Sequence, residues 1–334
     1  MIMQLRKMLA PALALGCGLT LWGAGNRAPR PPIRVVVAAN GAGNYPTVQE
    51  AIDHAPPSGP RRLIIAIEPG IYRGRVSIPR DRPRVTLLGL GRSAKDVVLT
   101  YNLSARQVGG TFFSSTVDVE GEGFQAKNLT IQNSYGPGSQ AVAISVHAGH
   151  AVFDQVRLLG YQDTLYAASG LQYYRDCMIQ GAVDFIFGNA TAVFDHCQIR
   201  TIGHGYITAQ SRRSPRATTG YVFYRCRITG HRAKPDVFLG RPWRRFARVV
   251  YLDCYLGRAI RPSGWNDWDH TVANQKTAWY GEYGSHGPGA HPHRRARWAH
   301  ELTRAQARPF FPQVFMRARG WEPRAALRRL ERQK

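Results

Sequence analysis

Five polar side chains are candidates for acid–base chemistry, and four of them recur at a spacing that could bring them together. They are Gln140, Gln162, Asp163, Asp184 and Arg241. Gln162 and Asp163 follow Gln140 by 22 and 23 residues, and Asp184 follows Asp163 by 21. If the chain winds with a period of about 21 residues here, Gln140, Asp163 and Asp184 lie on three successive turns and can converge.

Two neighbouring carboxyl groups can take different roles in catalysis. The charge on one raises the pKa of the other, which separates a proton donor from an ionised nucleophile or base. Arg241, in the Gly- and Pro-containing segment 239–243, is the candidate cation that would keep one carboxylate charged. The same spacing also fits a structural use, in which Asp163 and Asp184 cap turns, and spacing alone leaves both interpretations open.

The elements that must position these residues are predicted from a repeat of short strands. Six segments share β-branched and aromatic residues in partial alternation: 124–130, 152–158, 173–179, 193–199, 222–228 and 250–256. Equivalent positions in them are 28, 21, 20, 29 and 28 residues apart. Because almost no helical periodicity lies between the strands, the pattern favours an all-β solenoid of the parallel β-helix type over leucine-rich or βαβ repeats.

Four cysteines occupy equivalent positions of this repeat: Cys177, Cys197, Cys226 and Cys254. Equivalent residues on adjacent coils lie roughly 4.8 Å apart, which suits a disulfide. Cys177–Cys197 is the first candidate pair and Cys197–Cys226 the second, while a ladder of four reduced thiols is the alternative. No Cys-x-x-Cys pair or close Cys/His cluster occurs, so no metal site is expected.

The two ends of the repeat differ from its middle. Thr47 and Glu50 form a capping-box pattern, which predicts a short helix over the open N-terminal end of the stack. The basic segment 322–334 places Ala326, Leu327 and Leu330 on one helical face, and we expect a helical tail at or beyond the other end. The predicted catalytic domain therefore spans residues 33–321.

Residues 1–25 have the pattern of a secretory signal peptide. Arg6 and Lys7 precede an uncharged run over 8–22 and a small-residue exit at 23–25. Lipidation of Cys17 and an uncleaved anchor are the second and third interpretations. We expect a secreted or otherwise extracytoplasmic protein, in the periplasm or at the cell surface, without further membrane association.

The charge favours a polyanionic partner. The chain of 334 residues carries 45 Lys and Arg against 21 Asp and Glu, a formal net charge of +24. Nucleic acid, acidic lipid and acidic polysaccharide all fit that charge. Nucleic acid is not expected, because the aromatic residues belong to the coils rather than to the basic runs. Ser145 lacks a Gly-x-Ser-x-Gly context, so a serine hydrolase is not expected either.

Longer motifs are similar to those of a known family. The segments 162–166 (Gln-Asp-Thr-Leu-Tyr), 181–190 and 239–243 (Leu-Gly-Arg-Pro-Trp) resemble the signature motifs of pectin methylesterases. Further similar segments are 35–52, 69–72, 207–210, 264–265 and 280–283. The resemblance runs from about residue 33 to residue 321.

The resemblance implies a single-stranded, right-handed parallel β-helix that hydrolyses methyl esters of galacturonate in pectin. By this resemblance Asp184 is the nucleophile, and Asp163 is the general acid that later acts as base. Gln140 and Gln162 would donate to the oxyanion, and Arg241 would hold Asp184 ionised. No metal or other cofactor is implied, and a monomer acting on methylated polygalacturonan is expected.

The resemblance also assigns a sugar groove to Tyr166, Phe187 and Trp243. One departure is Gly74, which stands where the family motif Gly-x-Tyr-x-Glu has an acid. Two alternatives follow: an esterase of the same fold acting on another ester, such as an acyl thioester, and a non-catalytic polysaccharide-binding solenoid. A lyase or glycosidase of this fold fits the two-Gln, two-Asp set poorly.

Overall fold

The computed structural model describes residues 31–57, 59–230, 234–268 and 272–332. The predicted signal peptide and Cys17 lie outside these residues. Within them the chain forms short strands in a repeating order, which are, along the sequence, β1 (Ile33–Val37), β2 (Leu63–Ile67), β3 (Gly70–Arg73), β4 (Val76–Ile78), β5 (Val85–Gly89), β6 (Val97–Tyr101), β7 (Val117–Val119), β8 (Gln125–Lys127), β9 (Thr130–Asn133), β10 (Ile144–Val146), β11 (Ala151–Asp154), β12 (Arg157–Leu159), β13 (Leu165–Ala167), β14 (Leu171–Arg175), β15 (Met178–Gly188), β16 (Thr191–Asp195), β17 (Gln198–Gln210), β18 (Gly220–Tyr224), β19 (Arg227–Gly230), β20 (Val237–Pro242), β21 (Arg248–Leu252), β22 (Tyr255–Leu256), β23 (Trp279–Tyr283) and β24 (His300–Glu301).

The helices of the described residues are short and lie at the ends and in the connections. They are α1 (Val48–His54), α2 (Ala105–Val108), α3 (Val272–Thr277), α4 (Arg304–Ala307), α5 (Pro312–Arg317) and α6 (Pro323–Glu331), with single 3₁₀ turns at Thr111–Phe113, Pro292–Arg294 and Arg308–Phe310. No helix in the described part of the chain is long and apolar enough to cross a membrane.

The strands stack in parallel to form the faces of a right-handed β-helix, as predicted. The first face runs β1-β2-β5-β8-β11-β14-β16-β18-β21-β23-β24. A second face contains β3, β6, β9 and β12, and a third contains β4, β7, β10 and β13. The long strands β15 and β17 run through both the second and the third face and so join them. Each coil contributes one strand position to each face, which places equivalent residues beside each other.

The interior is built from columns of equivalent residues. One column stacks the rings of Phe153, Tyr174, Phe194, Phe223 and Tyr251, with centroids 4.4–4.9 Å apart and nearly parallel planes. All five side chains are fully buried. Each ring therefore contributes buried apolar area and offset stacking to the coils on both sides.

The strand register confirms the repeat and corrects its first interval. Val156 occupies the same column as the cysteines, but its partner in the preceding coil is Leu129, because Thr130 pairs with Arg157. The first spacing is therefore 27 residues, and not the 28 obtained by aligning Asn128 with Val156. The turn before this column takes a positive φ, +53° at Asn128 and +57° at Gln155, and this turn geometry identifies the equivalent residues.

The predicted Cys177–Cys197 disulfide is absent from the structure. Cys177, Cys197, Cys226 and Cys254 are buried free thiols in one interior column. Each thiol lies against a backbone carbonyl of the preceding coil, as between Cys226 Sγ and Phe194 O at 3.2 Å. The alternative of a reduced ladder is the one that the structure shows.

The N-terminal cap follows the prediction, whereas the C-terminal tail lies elsewhere than expected. Thr47 caps α1 by accepting a hydrogen bond from the Glu50 backbone N–H, and α1 packs on β1, β2 and β4. Helix α6 forms as predicted, but it folds back along the outside of the first face and contacts β11. Its apolar residues join Val152 and Tyr173 in one buried cluster, because that face is also apolar on its outer side.

Candidate active site

The two acids occur where the coils leave regular strand geometry. Asp163 lies just before β13 and Asp184 lies within β15, in adjacent coils joined by a hydrogen bond from Asp163 N to Val183 O of 3.0 Å. Their φ angles are +63° and +48°, values uncommon for a non-glycine residue. The pairing of β15 shifts register on both sides of Val183. Such irregularities re-aim side chains at functional sites.

Arg241 holds one of the two carboxylates in a fixed orientation. Its Nε donates to Asp184 Oδ1 at 2.9 Å and its Nη2 to Asp184 Oδ2 at 2.6 Å. The guanidinium lies between two aromatic rings, 3.9 Å from the centroid of Tyr206 and 3.8 Å from that of Trp268. A bidentate, stacked arginine is a rigid partner, because both its hydrogen bonds and its plane are fixed.

The carboxyl groups are consequently unequal. Burial and the neighbouring charge of Asp184 raise the pKa of Asp163 well above its usual value, and Arg241 opposes this only partly. Burial also raises the pKa of Asp184, but the hydrogen bonds and charge of Arg241 offset part of that rise. Asp163 is therefore the better proton donor, and Asp184 is the better candidate for the ionised group.

Two amides face the same cleft. Gln140 and Gln162 belong to successive coils, with Ala141 N donating to Gln162 O at 3.1 Å, and Gln162 forms a parallel bridge with Val183. Among the described residues neither side-chain amide makes a hydrogen bond to protein. Both remain available as donors to an anion that develops on a bound substrate.

The cleft is open and lined by both aromatic and polar side chains. It has a volume of about 250 Å³ and is lined by Thr111, Phe112, Gln140, Gln162, Asp163, Asp184, Phe187, Ala209, Arg241, Trp243 and Trp268. Tyr166 stacks on Phe187 with centroids 4.7 Å apart and contacts Phe112 at 4.9 Å, and Phe187 contacts Trp243 at 6.0 Å. Flat apolar rings beside polar groups suit the apolar faces of a sugar.

All five residues singled out for chemistry line this cleft, together with Phe187 and Trp243. Tyr166, the third predicted groove aromatic, is not among the lining residues and packs behind them on Phe187. The sequence motifs did not point to Phe112, Trp268 or Tyr206, which also belong to the site or support it. Phe112 lies in an aromatic pair between small residues, which was a usable signal for an exposed loop. Nothing in the local sequence marks Trp268 or Tyr206, since their importance comes only from stacking on Arg241.

A serine hydrolase arrangement is not formed at Ser145. Ser145 Oγ lies 3.0 Å from His147 Nε2, and Asp118 Oδ1 lies 3.9 Å from the same nitrogen. A proton relay needs the acid and the serine on different ring nitrogens. Among the described residues, moreover, no group of three His, Cys, Asp or Glu side chains could hold a metal ion.

Known proteins are similar to this chain in sequence and in architecture. The family model described as Pectinesterase matches residues 34–319. "Pectinesterase 31" of Arabidopsis thaliana is 44% identical over 293 residues, covering 84% of this chain and 92% of that protein. "Pectin methylesterase from Carrot" superimposes with a TM-score of 0.80 at 35% identity, covering 86% and 94% of the two chains.

A further similar structure is that of a complex with an oligosaccharide. "Crystal structure of pectin methylesterase in complex with hexasaccharide VII" is 27% identical, with a TM-score of 0.73, and covers 86% of this chain and 97% of that one. The family model and the 44% relative each extend over most of this chain. The chain belongs to the pectinesterase family.

Proposed function

We propose that this protein hydrolyses the methyl esters of galacturonate residues in pectin, giving pectate and methanol. The observation that carries the proposal is the unequal carboxyl pair, with Asp184 in a bidentate pair with Arg241 and Asp163 biased towards its protonated form. This pair lies in an open aromatic cleft, in a chain that belongs to the pectinesterase family.

The chemistry takes two steps through a covalent intermediate. A carboxylate oxygen of Asp184 attacks the ester carbonyl carbon, and the resulting oxyanion accepts hydrogen bonds from Gln140 and Gln162. The bond to the methoxy group then breaks, and the methoxy oxygen takes the proton of Asp163 and leaves as methanol. The galacturonyl group stays bonded to Asp184 as an anhydride. Asp163, now ionised, removes a proton from a water molecule that attacks the galacturonyl carbonyl. This releases free galacturonate and restores the Asp184 carboxylate.

The surroundings suit a polymeric uronate. Phe187 and Trp243 provide ring surfaces along the cleft, with Tyr166 stacked on Phe187, and an oligosaccharide is bound in the related structure of similar fold. The formal net charge of +24 attracts a substrate whose negative charge grows as its esters are removed.

The test is release of methanol from highly methyl-esterified pectin by the purified protein. Asp184→Asn keeps the size of the side chain and tolerates the positive φ, so it removes the nucleophile without straining the turn. We expect a loss of at least about 10⁴-fold in kcat. Asp81→Asn, at an exposed position outside the cleft, should retain the parent rate.

Two results would reject this function. Substantial methanol release by Asp184→Asn would mean that the nucleophile is wrongly assigned. Absence of methanol from the parent protein, together with hydrolysis of an acyl thioester, would favour the alternative ester. Activity that survives a chelator would support the metal-free mechanism, and inhibition reversed by added metal would reject it.

The proposal includes a location and a working form. The signal-like pattern of residues 1–25 supports export and cleavage near residues 24–26, and the complete cleft within one chain supports action as a monomer. The mass of the exported protein would distinguish cleavage from lipidation at Cys17. Light scattering would show a single-chain mass if the monomer is correct.

A further inference from the structure

The C-terminal segment forms a second cavity, on a different face of the β-helix from the catalytic cleft. Helices α5 and α6 pack on the outside of the first face, and Tyr173 of β14 on that face contributes one wall of the cavity. The other walls come from residues within 312–328. The cavity volume of about 230 Å³ is close to that of the catalytic cleft, so the cavity can hold a ligand of about the size of one sugar unit.

The charge around this cavity is positive. Three arginines and one acid line it: Arg317, Arg324, Arg328 and Glu322. The acid is already paired, because Arg317 Nε donates to Glu322 Oε1 at 2.8 Å. Glu331, the acid within α6, pairs with Arg175 at 2.7 Å instead. In the described part of the chain no carboxylate lies within 4.0 Å of Arg324 or Arg328, which leaves two uncompensated cations at the cavity.

These two arginines are placed to share an anion. Arg324 and Arg328 lie one turn apart on α6, at the i and i+4 positions where like charges repel each other. With its amide oxygen facing Arg324, Gln313 accepts from both Nη1 and Nη2 of that residue and so restrains it. Among the described residues Arg328 has no hydrogen-bond partner. An anion between the two guanidinium groups would offset their repulsion and gain charge-assisted hydrogen bonds.

The cavity also has an anchored aromatic wall. Trp321 is half-buried and packs against the apolar cluster between α6 and the first face. The ring of His150 meets it edge-on, with centroids 5.3 Å apart, and His150 Nδ1 lies 2.6 Å from Glu122 Oε1. A fixed ring beside two cations suits a sugar that carries a carboxylate, because the ring can bind the apolar face of the sugar and the arginines its charged group.

We propose that Trp321, Arg324 and Arg328 form a second binding site, which takes a free uronate unit of de-esterified pectin. The choice of ligand rests on the proposed function, since the catalytic cleft would produce this carboxylate. A pectin chain long enough to reach both sites would bind the second one at a high effective concentration. The protein would thereby stay attached to polymer that it has already de-esterified.

The first experiment is calorimetry with unesterified trigalacturonate at low salt, which does not depend on turnover. Arg324→Gln/Arg328→Gln should weaken binding at the cavity about tenfold or more. Arg80→Gln/Arg297→Gln removes the same charge from exposed positions outside the cavity and should bind like the parent protein. Methanol release from a short, fully esterified oligomer should be nearly the same in all three proteins. Equal binding by the two double variants would overturn the site.

A second experiment separates a uronate from an inorganic anion that shares its charge. Trp321→Ala should weaken trigalacturonate binding several-fold and leave the binding of inorganic sulfate unchanged, because only the sugar uses the ring. Retained sulfate binding also shows that the cavity is still folded. Unchanged trigalacturonate binding in Trp321→Ala would reject a uronate site and leave a general anion site.

The polymer provides a further readout. On partly de-esterified pectin, Arg324→Gln/Arg328→Gln should raise KM several-fold relative to Arg80→Gln/Arg297→Gln, with kcat nearly unchanged. The same KM for both double variants would contradict a role of the cavity in holding the polymer. A parent protein that binds trigalacturonate at the cavity but releases no methanol would reject the proposed function and leave the binding site standing.

Discussion

Asp163 and Asp184 differ because of what surrounds them rather than because of their type. Both are more than nine-tenths buried, yet only Asp184 has a bidentate cationic partner. Stacking of Arg241 between Tyr206 and Trp268 fixes that partner in place. In the proposed mechanism, the difference between acid and nucleophile therefore already exists in the free protein, before a substrate binds.

The raised pKa of Asp163 has a consequence for stability. The folded protein binds this proton more tightly than the unfolded chain, so unfolding releases a proton and stability falls as pH rises above the unfolded pKa of about 3.9. Asp163→Asn cannot ionise, and we expect it to raise Tm by about 2 °C or more at pH 7. The gain should shrink towards pH 4. Calorimetry of both proteins at the two pH values checks this, and a gain independent of pH would contradict it.

In the proposed mechanism, Arg241 should determine where the acid limb of the pH–rate profile lies. Its hydrogen bonds and charge lower the pKa of Asp184, so weakening them raises that pKa and leaves less carboxylate at a given low pH. In Arg241→Lys, which loses the bidentate geometry, the acid limb of kcat/KM should move to higher pH. Arg244→Lys, at the cleft rim, should leave the limb in place. The profile of methanol release against pH measures both variants.

The sequence motifs were enough to predict the residues proposed for catalysis. The remaining residues of the site could be identified only from their contacts in the structure. Gln140, Gln162, Asp163 and Asp184 could be placed together because a regular coil turns sequence spacing into distance. Trp268 could not, since it reaches Arg241 from a long irregular connection whose path no periodicity describes.

At the scale of the elements, the coils are held together by their buried columns. The ring of Phe194 lies between those of Tyr174 and Phe223, at 4.9 and 4.5 Å. Each coil contacts mainly its neighbours, so a fault in one column weakens the interfaces on both sides. The strands themselves were predictable from alternation, whereas the one-residue shift at Leu129 was not, because a turn residue with positive φ has no fixed sequence.

Removing one ring of the stack should lower the free energy of unfolding substantially. Phe194→Ala leaves a cavity between two rings and loses buried area, and we expect it to destabilise the protein by about 3–5 kcal/mol. Phe113 is 62% exposed, and Phe113→Ala should change stability by less than about 0.5 kcal/mol. Denaturant unfolding of both variants tests the difference. Equal destabilisation would show that the stack contributes no more than a surface ring.

The position of α6 could not be predicted from its own sequence pattern. Its apolar stripe predicts a buried face, but not which surface buries it. The structure adds a polar contact, because Arg175 Nη2 donates to Glu331 Oε1 at 2.7 Å while its Nε donates to Asp154 at 2.9 Å. The outer side of the first face offers both the apolar cluster and this arginine.

For the whole molecule, the excess of basic residues should govern encounter with the polymer. A net charge of +24 attracts a polyuronate over distances comparable to the Debye length, about 10 Å at 0.1 M salt. On partly de-esterified pectin we expect KM to rise several-fold between about 20 and 200 mM salt, with kcat nearly constant. On fully esterified oligomers KM should hardly move. An equal response of both substrates would argue against an electrostatic origin.

The lengths of the coils have a consequence for how this scaffold can be altered. The acids come from the tightest part of the winding, where β12 and β13 are separated only by residues 160–164 and β15 runs on without a break. The walls come from longer excursions, around Thr111–Phe113 and within residues 257–268. The Thr111–Phe113 excursion is therefore separable from the reacting groups, whereas Trp268 of the second excursion stacks on Arg241. Grafting new sequence at the first excursion is a route to enzymes with other polymer preferences and unaltered ester cleavage.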